Sequence, residues 1–276
     1  MPWHAQLELN YRRDGARTVL QHHHNGPLRI LKSLYPEGDA ICHNVIVHPP
    51  GGLVGGDVLD VQVHVGTGAH ALVSTPGATR FYASEGLSTT QQVALTLDAG
   101  ARLEWLPLEA IAYAGCEAHN RLSATLAPGA ELLAWDVTAL GLPTANKPFD
   151  AGRFHQRLEI PGLWLEQACI DAQDRRLMAA PLALAGRRCL GTLVLASGSP
   201  LGRDRSEQLL ETVRAALAGC GPEVQAAATC PNPQTLVVRA LAPLVEPLMA
   251  DFQRVWRALR AKAWGLDAPP PRIWAV

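Results

Sequence analysis

Alternation is the clearest signal along this chain. In segment 57–65, DVLDVQVHV, Leu59, Val61, Val63 and Val65 share one face, and Asp60, Gln62 and His64 share the other. Segment 153–160, RFHQRLEI, sets Phe154, Leu158 and Ile160 opposite Arg153, His155, Arg157 and Glu159. A period of two belongs to a strand with one face buried and one wet. Proline and glycine cut the first two thirds of the chain into short segments, which predicts many strands joined by tight turns.

Three stretches repeat one another: VQVHVGTGAHALV, VALTLDAGARLEW and LSATLAPGAELLA. Each reads as a strand, a turn ending in Gly-Ala, and a second strand. The anchoring Gly68, Gly100 and Gly129 lie 32 (100 − 68) and 29 (129 − 100) residues apart. Glycine supplies the positive φ of such a turn, and the small alanine lets the next strand begin close by. A strand pair of this length cannot bury its own face, so the repeat predicts stacked layers. Ordinary hairpins of a β-sandwich are the alternative.

The last third changes period. Segment 204–219 carries Leu209, Leu210, Val213 and Leu217 at helical spacing, with Asp204 or Ser206 as N-cap and Gly219 as C-cap. A short β pair, VQAAAT and TLVVRAL, surrounds Pro231-Asn232-Pro233. Residues 243–264 then predict the strongest helix, with Leu244, Leu248, Val255, Trp256 and Leu259 on one stripe. Arg254, Arg257, Arg260 and Lys262 crowd its end, where positive charge suits the helix dipole. Its Met249, Phe252 and Trp256 either pack on the body or face a partner. The expected fold is therefore mostly β: stacked strands forming a distorted β-helix or solenoid-like body with two C-terminal helices. One domain is expected over 1–276, with a β-rich body (1–198) and an α/β C-terminal portion (199–276).

Composition narrows the function classes. The 276 residues suffice for a large core, and 48% hydrophobic against 18% charged residues excludes a disordered chain. Charges nearly cancel, 24 basic against 25 acidic, with no long basic run, which argues against a nucleic-acid partner. The opening MPWHAQLELNYRR has no apolar signal core, and no stretch approaches the ~18 apolar residues of a membrane span. A cytoplasmic protein without a membrane partner is expected. Six cysteines, at 42, 116, 169, 189, 220 and 230, make no CxxC pair, so reduced, mostly buried thiols are expected rather than a zinc knuckle or redox couple. Seven tryptophans suggest apolar surface beyond what one core needs.

Three stretches stand out as candidate chemistry. HPPGGLVGGD places His48 before the rigid Pro49-Pro50, then Gly51, Gly52, Gly55 and Gly56, then Asp57 at a strand start. TPGATRFYAS clusters Arg80, Phe81 and Tyr82 after a Pro-Gly turn. LEWLPLEAIAYAG carries Glu104, Trp105, Pro107 and Glu109. No phosphate-binding loop, dinucleotide fingerprint, nucleophile elbow or HEXXH helix accompanies them. His22-His23-His24 alternate sides on a strand and cannot converge on one metal.

Together and in this order, the three stretches resemble the UreD (UreH) family of urease accessory proteins. The resemblance continues through GPLRILKSLYPEG (Gly26 to Gly38), WDVTALGLP (Trp135 to Pro143) and LWLEQACIDAQDRRLMAAPLALAG (Leu163 to Gly186). Leu108 and Ala83 stand where the family tends to have Gln and Arg. The resemblance implies a β-rich, non-enzymatic maturation factor. It would join an all-helical F-type protein, which holds a GTP-hydrolysing G-type protein that supplies nickel, and would contact apo-urease. No tightly bound cofactor is implied; nickel(II) is transient cargo on a water-filled route. Oxygen ligands that release the ion suit such a route better than a Cys/His cage. Asp57, Glu104, Asp136 and Glu166 are the candidate nickel-route residues. Stacked repeats are expected to align Asp57 and Glu104 along one internal path. The alternative is a β-solenoid enzyme acting on a small molecule or saccharide, using Glu104 with Glu109 or Asp57.

Overall fold

The computed structural model describes residues 2–275. The chain enters through β1 (His4–Asp14), β2 (Arg17–Asn25), β3 (Arg29–Ile30) and β4 (Ile41–Val47). It then winds in coils: β5 (Val58–Val65), β6 (His70–Ser74) and β7 (Thr79–Phe81), followed by β8 (Thr89–Leu97), β9 (Arg102–Leu106) and β10 (Ala110–Ala112). The next coil is β11 (Cys116–Leu126) and the long β12 (Glu131–Leu142). After β13 (Lys147–Pro148), β14 (Gly152–Ile160) and β15 (Trp164–Asp171) come α1 (Arg175–Ala179) and β16 (Cys189–Ser197). The chain closes with α2 (Arg203–Leu217), β17 (Gln225–Asn232), β18 (Thr235–Ala242) and α3 (Val245–Trp264).

Two sheets face each other. The first runs β15-β14-β11-β8-β5-β1-β2, and the second β17-β18-β16-β12-β9-β6-β4-β3. Each coil gives one parallel strand to each sheet: β5, β8, β11 and β14 to the first, and β4, β6, β9 and β12 to the second. This is the stacked, solenoid-like β body with two C-terminal helices, not a sandwich of hairpins. Antiparallel β2 and β15 flank the first sheet, and β16, β18 and β17 extend the second.

The repeat is built at the turn between the sheets. Gly68, Gly100 and Gly129 have φ of 65°, 66° and 75°. The N–H groups of Ala69, Ala101 and Ala130 donate to the carbonyls of Gly66, Asp98 and Ala127 at 3.0 Å. Glycine in the third of four turn positions, preceded by Pro128 in the last copy, is the signature of a type II turn. The three alanines are buried, so the next strand starts directly against the layer beside it.

Alternation holds where it is predicted. Leu59, Val61, Val63 and Val65 are buried between the sheets, and Phe154, Leu158 and Ile160 join them. A second core lies on the outer face of the second sheet under α2 and α3, where Trp135, Leu193, Leu236, Phe252 and Trp256 meet. The two cores together account for the tryptophan content: Trp105 is buried in the first, Trp135 and Trp256 in the second, and Trp3 is exposed at 53%. Met249, Phe252 and Trp256 therefore pack on the body and present no partner surface.

Helix boundaries differ in detail. Gly202, at φ 75°, is the N-cap of α2, which leaves Asp204 in the first turn, where its charge complements the dipole without capping. Ala218, not Gly219, ends that helix because the chain stays right-handed there. Leu244 precedes α3 as its N-cap, and Gly265 closes it in the left-handed conformation. The short α1 is not predicted by the hydrophobic pattern; Asp174 caps it by accepting from the Leu177 N–H at 2.9 Å. All six cysteines are free; Cys42, Cys116 and Cys189 are buried, and Cys169 is exposed. Among the described residues no helix is long and apolar enough to cross a membrane.

Candidate functional site

The three singled-out stretches form one row, the third and narrowest side of the coils. Leu53 donates its N–H to the Arg80 carbonyl at 2.7 Å and accepts from the Tyr82 N–H at 2.9 Å. β7 pairs in parallel with β10, and β10 with β12, placing Phe81, Ala112 and Leu140 in register. Their spacing in the sequence is thus the length of one coil. Glycine is required where the row is tightest: a Cβ on Gly52 would stand 2.2 Å from the Tyr82 ring. Tyr82 in turn packs on Tyr113 with ring centroids 4.8 Å apart. Glu109 serves β7 through its backbone carbonyl, which accepts from the Thr79 N–H at 2.9 Å.

Behind this row lies a cavity of 250 Å³ between the sheets, lined by His48, Gly51, Arg80, Gln91, Trp105 and Pro107. Pro49 and Pro50 lie exposed at its edge. Burial pushes the His48 imidazole pKa down, and the nearby Asp57 carboxylate offsets this only in part.

The four candidate carboxylates part company. Asp57 is buried, and both its oxygens are committed: Oδ1 accepts from the Trp3 N–H at 2.8 Å and Oδ2 from the Val54 N–H at 3.0 Å. It ties the N-terminal segment to the base of the Gly-rich loop, next to Gly55 and Gly56. Glu104 is fully buried in β9, among His70 at 2.9 Å, Trp256 Nε1 at 2.6 Å and Arg260 Nε at 3.1 Å. Burial alone would raise its pKa; the hydrogen bond and charge of His70, the Arg260 charge and the Trp256 N–H hold it below the usual range. Arg260 also reaches Glu37 at 2.6 Å, and Glu37 holds His43 at 2.7 Å.

Asp57 and Glu104 consequently do not line one path. Asp57 precedes a strand of the first sheet. Leu103 and Trp105 face the inter-sheet core, so the two-residue period turns Glu104 outward, toward α3.

Asp136 and Glu166 do share a space. Asp136 lies on β12 with its side chain turned between the sheets, where Asn120 donates at 2.8 Å and Gln156 at 2.5 Å. Gln91, Asn120 and Gln156 occupy one register row across β8, β11 and β14, and Gln91 donates to Asn120 at 3.1 Å. On the facing sheet Asp136 pairs with Thr192, which pairs with Arg239. Glu166, from β15, accepts from the Thr192 hydroxyl at 2.7 Å and from Arg239 at 2.6 Å. A polar row therefore runs along the stack, from the cavity at Gln91 to Glu166 and Arg239. A gap of 10 Å³ beside Asp136 and Thr192 has room for about one water. Burial drives the Asp136 pKa up to about 6; hydrogen bonds from Asn120 and Gln156 oppose this, and the Glu166 charge adds to it.

Periodicity alone misses Gln91, Asn120 and Gln156. Their signal is a polar residue in an apolar register: Gln156 falls on the Phe154 and Leu158 face of RFHQRLEI. Buried amides in a core need partners, and each of these has one.

The sequence is similar to that of known proteins over nearly its whole length. The sequence profile of the family described as UreD urease accessory protein matches residues 4–275. Urease accessory protein UreD of Albidiferax ferrireducens is 57% identical over 276 residues, covering 100% of both chains. That of Paracidovorax citrulli is also 57% identical, with 100% of both chains covered. That of Leptothrix cholodnii is 51% identical, with 99% of each covered.

Proposed function

This chain belongs to the UreD family of urease accessory proteins, maturation factors rather than enzymes, and we propose that it is the scaffold that passes nickel to apo-urease through the space between its two sheets. In this reading it bridges apo-urease and the F-type and G-type accessory proteins in the cytoplasm, and nickel(II) is cargo, not a resident cofactor. The observation that carries the route is the polar row from the 250 Å³ cavity to Glu166, embedded in an otherwise apolar inter-sheet core.

The chemistry suits transfer. At the gap beside Asp136 a hydrated divalent ion must shed water, and carboxylate, amide and hydroxyl oxygens are there to replace it. A few oxygen ligands hold nickel(II) more weakly than imidazole or thiolate does, so the ion is released onward. Asp136 and Glu166 are the residues assigned to this route. Asp57 and Glu104 are assigned to holding the fold.

The test is co-expression of urease with the F-type and G-type proteins and this chain carrying Asp136→Ala or Glu166→Ala. Recovered complex, nickel content and urease activity are measured together. An intact complex with nickel-poor, inactive urease is the expected result. Full activation by both variants would remove the row from the route.

A further inference from the structure

We propose that Glu117, His119 and His155, with Cys169 at the edge, form a binding site for one divalent cation of the nickel–zinc class on the outer face of the first sheet. The site stands apart from the inter-sheet row and does not rest on the reading given to that row.

The backbone builds the cluster. His119 on β11 is directly in register with His155 on β14, and His155 with Cys169 on β15. Phe154 and Gln156 point into the body, so the two-residue period turns His155 outward, and His119 and Cys169 share its face. Glu117, two residues before His119, falls on that face as well. Three residues on three adjacent strands, plus one from the same strand, thus meet over one patch of sheet.

The side chains converge as ligands would. One donor atom each from Glu117, His119 and His155 lies within 4.8 Å of the others, and all three residues are half-buried. The two imidazoles are stacked, with centroids 4.5 Å apart and planes 16° from parallel. Glu117 Oε1 is 3.2 Å from His155 Nε2, and Cys169 Sγ is 4.0 Å from that same nitrogen. A tetrahedral ion at about 2.0–2.3 Å from N, O and S ligands holds them roughly 3.3–3.7 Å apart. The group closes on an ion by side-chain rotation of about 1 Å, without backbone movement.

The second layer fits a carboxylate ligand. The other oxygen of Glu117 accepts from Arg153 Nε at 3.0 Å, which fixes the carboxylate plane while leaving Oε1 toward the imidazoles. Arg121 lies 3.5 Å from His119 Nδ1 and swings away when that nitrogen is the ligand. The patch lies in an open groove, so the ion has an entry path. Two imidazoles, one carboxylate and one thiol select borderline cations such as Ni²⁺, Zn²⁺ or Co²⁺ over Mg²⁺ and Ca²⁺, which prefer all-oxygen shells.

The experiment uses the full, metal-stripped chain. Ni²⁺, Zn²⁺ and Mg²⁺ are titrated in competition with a chromogenic chelator, and Co²⁺ is followed by its absorption spectrum. One equivalent of Ni²⁺ or Zn²⁺ is expected, with no competition by Mg²⁺. His119→Ala and His155→Ala should each weaken binding beyond the roughly 10–100-fold that loss of an outer partner causes. Glu117→Gln, which keeps the side-chain shape, should weaken it as well. Cys169→Ser should remove the thiolate-to-cobalt charge-transfer band while binding persists. His22→Ala/His24→Ala, on the separate exposed histidine strand, should change nothing. Unchanged circular dichroism certifies the fold of each variant, and Glu117→Gln and Cys169→Ser still decide if a histidine variant fails to fold. Undiminished affinity in the Glu117, His119 and His155 variants, a cobalt charge-transfer band that survives Cys169→Ser, binding that follows His22 and His24, or no stoichiometric binding at all overturns the proposal.

Discussion

Glu104 offers the sharpest test of how this fold is held. Its carboxylate is fully buried and accepts from His70, from Trp256 Nε1 and from Arg260, so it joins the second sheet to α3. Glu104→Ala would leave the Trp256 N–H without its acceptor and Arg260 with only Glu37 as a carboxylate partner. Removing one member of a buried pair costs about 3–5 kcal/mol. In a chain of this size each kcal/mol lowers Tm by roughly 2–4 °C, so a fall of about 10 °C is expected. Thermal melting by circular dichroism and tryptophan emission measures it. The folded-state pKa of Glu104 is depressed, so its contribution is present above the unfolded carboxyl value and is lost as pH falls through the folded value. The gap between parent and variant should therefore be wide at neutral pH and close on acidification. Glu104→Leu/Arg260→Met, which replaces the pair by apolar volume, should recover part of the loss. A Glu104→Ala protein melting within about 2 °C of the parent, less than 1 kcal/mol, would refute the assignment of Glu104 to the α3 anchor.

Asp136→Asn should act in the opposite direction. Its raised folded pKa, about 6 against the ordinary carboxyl value of 3.8, means that ionised Asp136 costs stability above pH 6 and nothing below the unfolded value. The variant should gain up to about 3 kcal/mol at pH 8 and match the parent near pH 4 in urea titrations; equal stability at both pH values would refute the shift. Gly68→Val and Gly100→Val should each cost about 1–3 kcal/mol, from the positive φ alone, because a Cβ at either position meets nothing within 4 Å. Gly152→Ala should cost more, since its Cβ would stand 2.3 Å from the Cys116 carbonyl oxygen at φ 94°. Equal melting temperatures for all three variants would contradict the reading of the turns.

What was legible in the sequence, and what was not, follows from the range of each interaction. The Gly-Ala turns and the alternating strands are local: a type II turn and a half-buried strand each require particular residues within a few positions, so Gly68, Gly100, Gly129 and the valines of β5 declared the stack. The Gly-rich, Arg-Phe-Tyr and Leu-Pro-Leu stretches stood out in the sequence too. That they are one side of successive coils was not, because the pairing of Leu53 with Phe81, and of Phe81 with Ala112, depends on where the intervening turns send the chain. The carboxylates divided for the same reason. Asp57 and Glu104 look alike in the sequence, each beside an unusual segment, yet one caps two backbone N–H groups and the other meets Trp256 and Arg260, more than 150 residues further on. A charge at a strand start says nothing of which sheet it enters, whereas a polar residue within an apolar register does. Gln91, Asn120 and Gln156 break the alternation on the inner face of three successive strands, and a core keeps such a row only when its members satisfy one another. Asp136 and Glu166, which complete that row from the second sheet and the flanking strand, are for that reason the carboxylates on which the proposed route is to be tested.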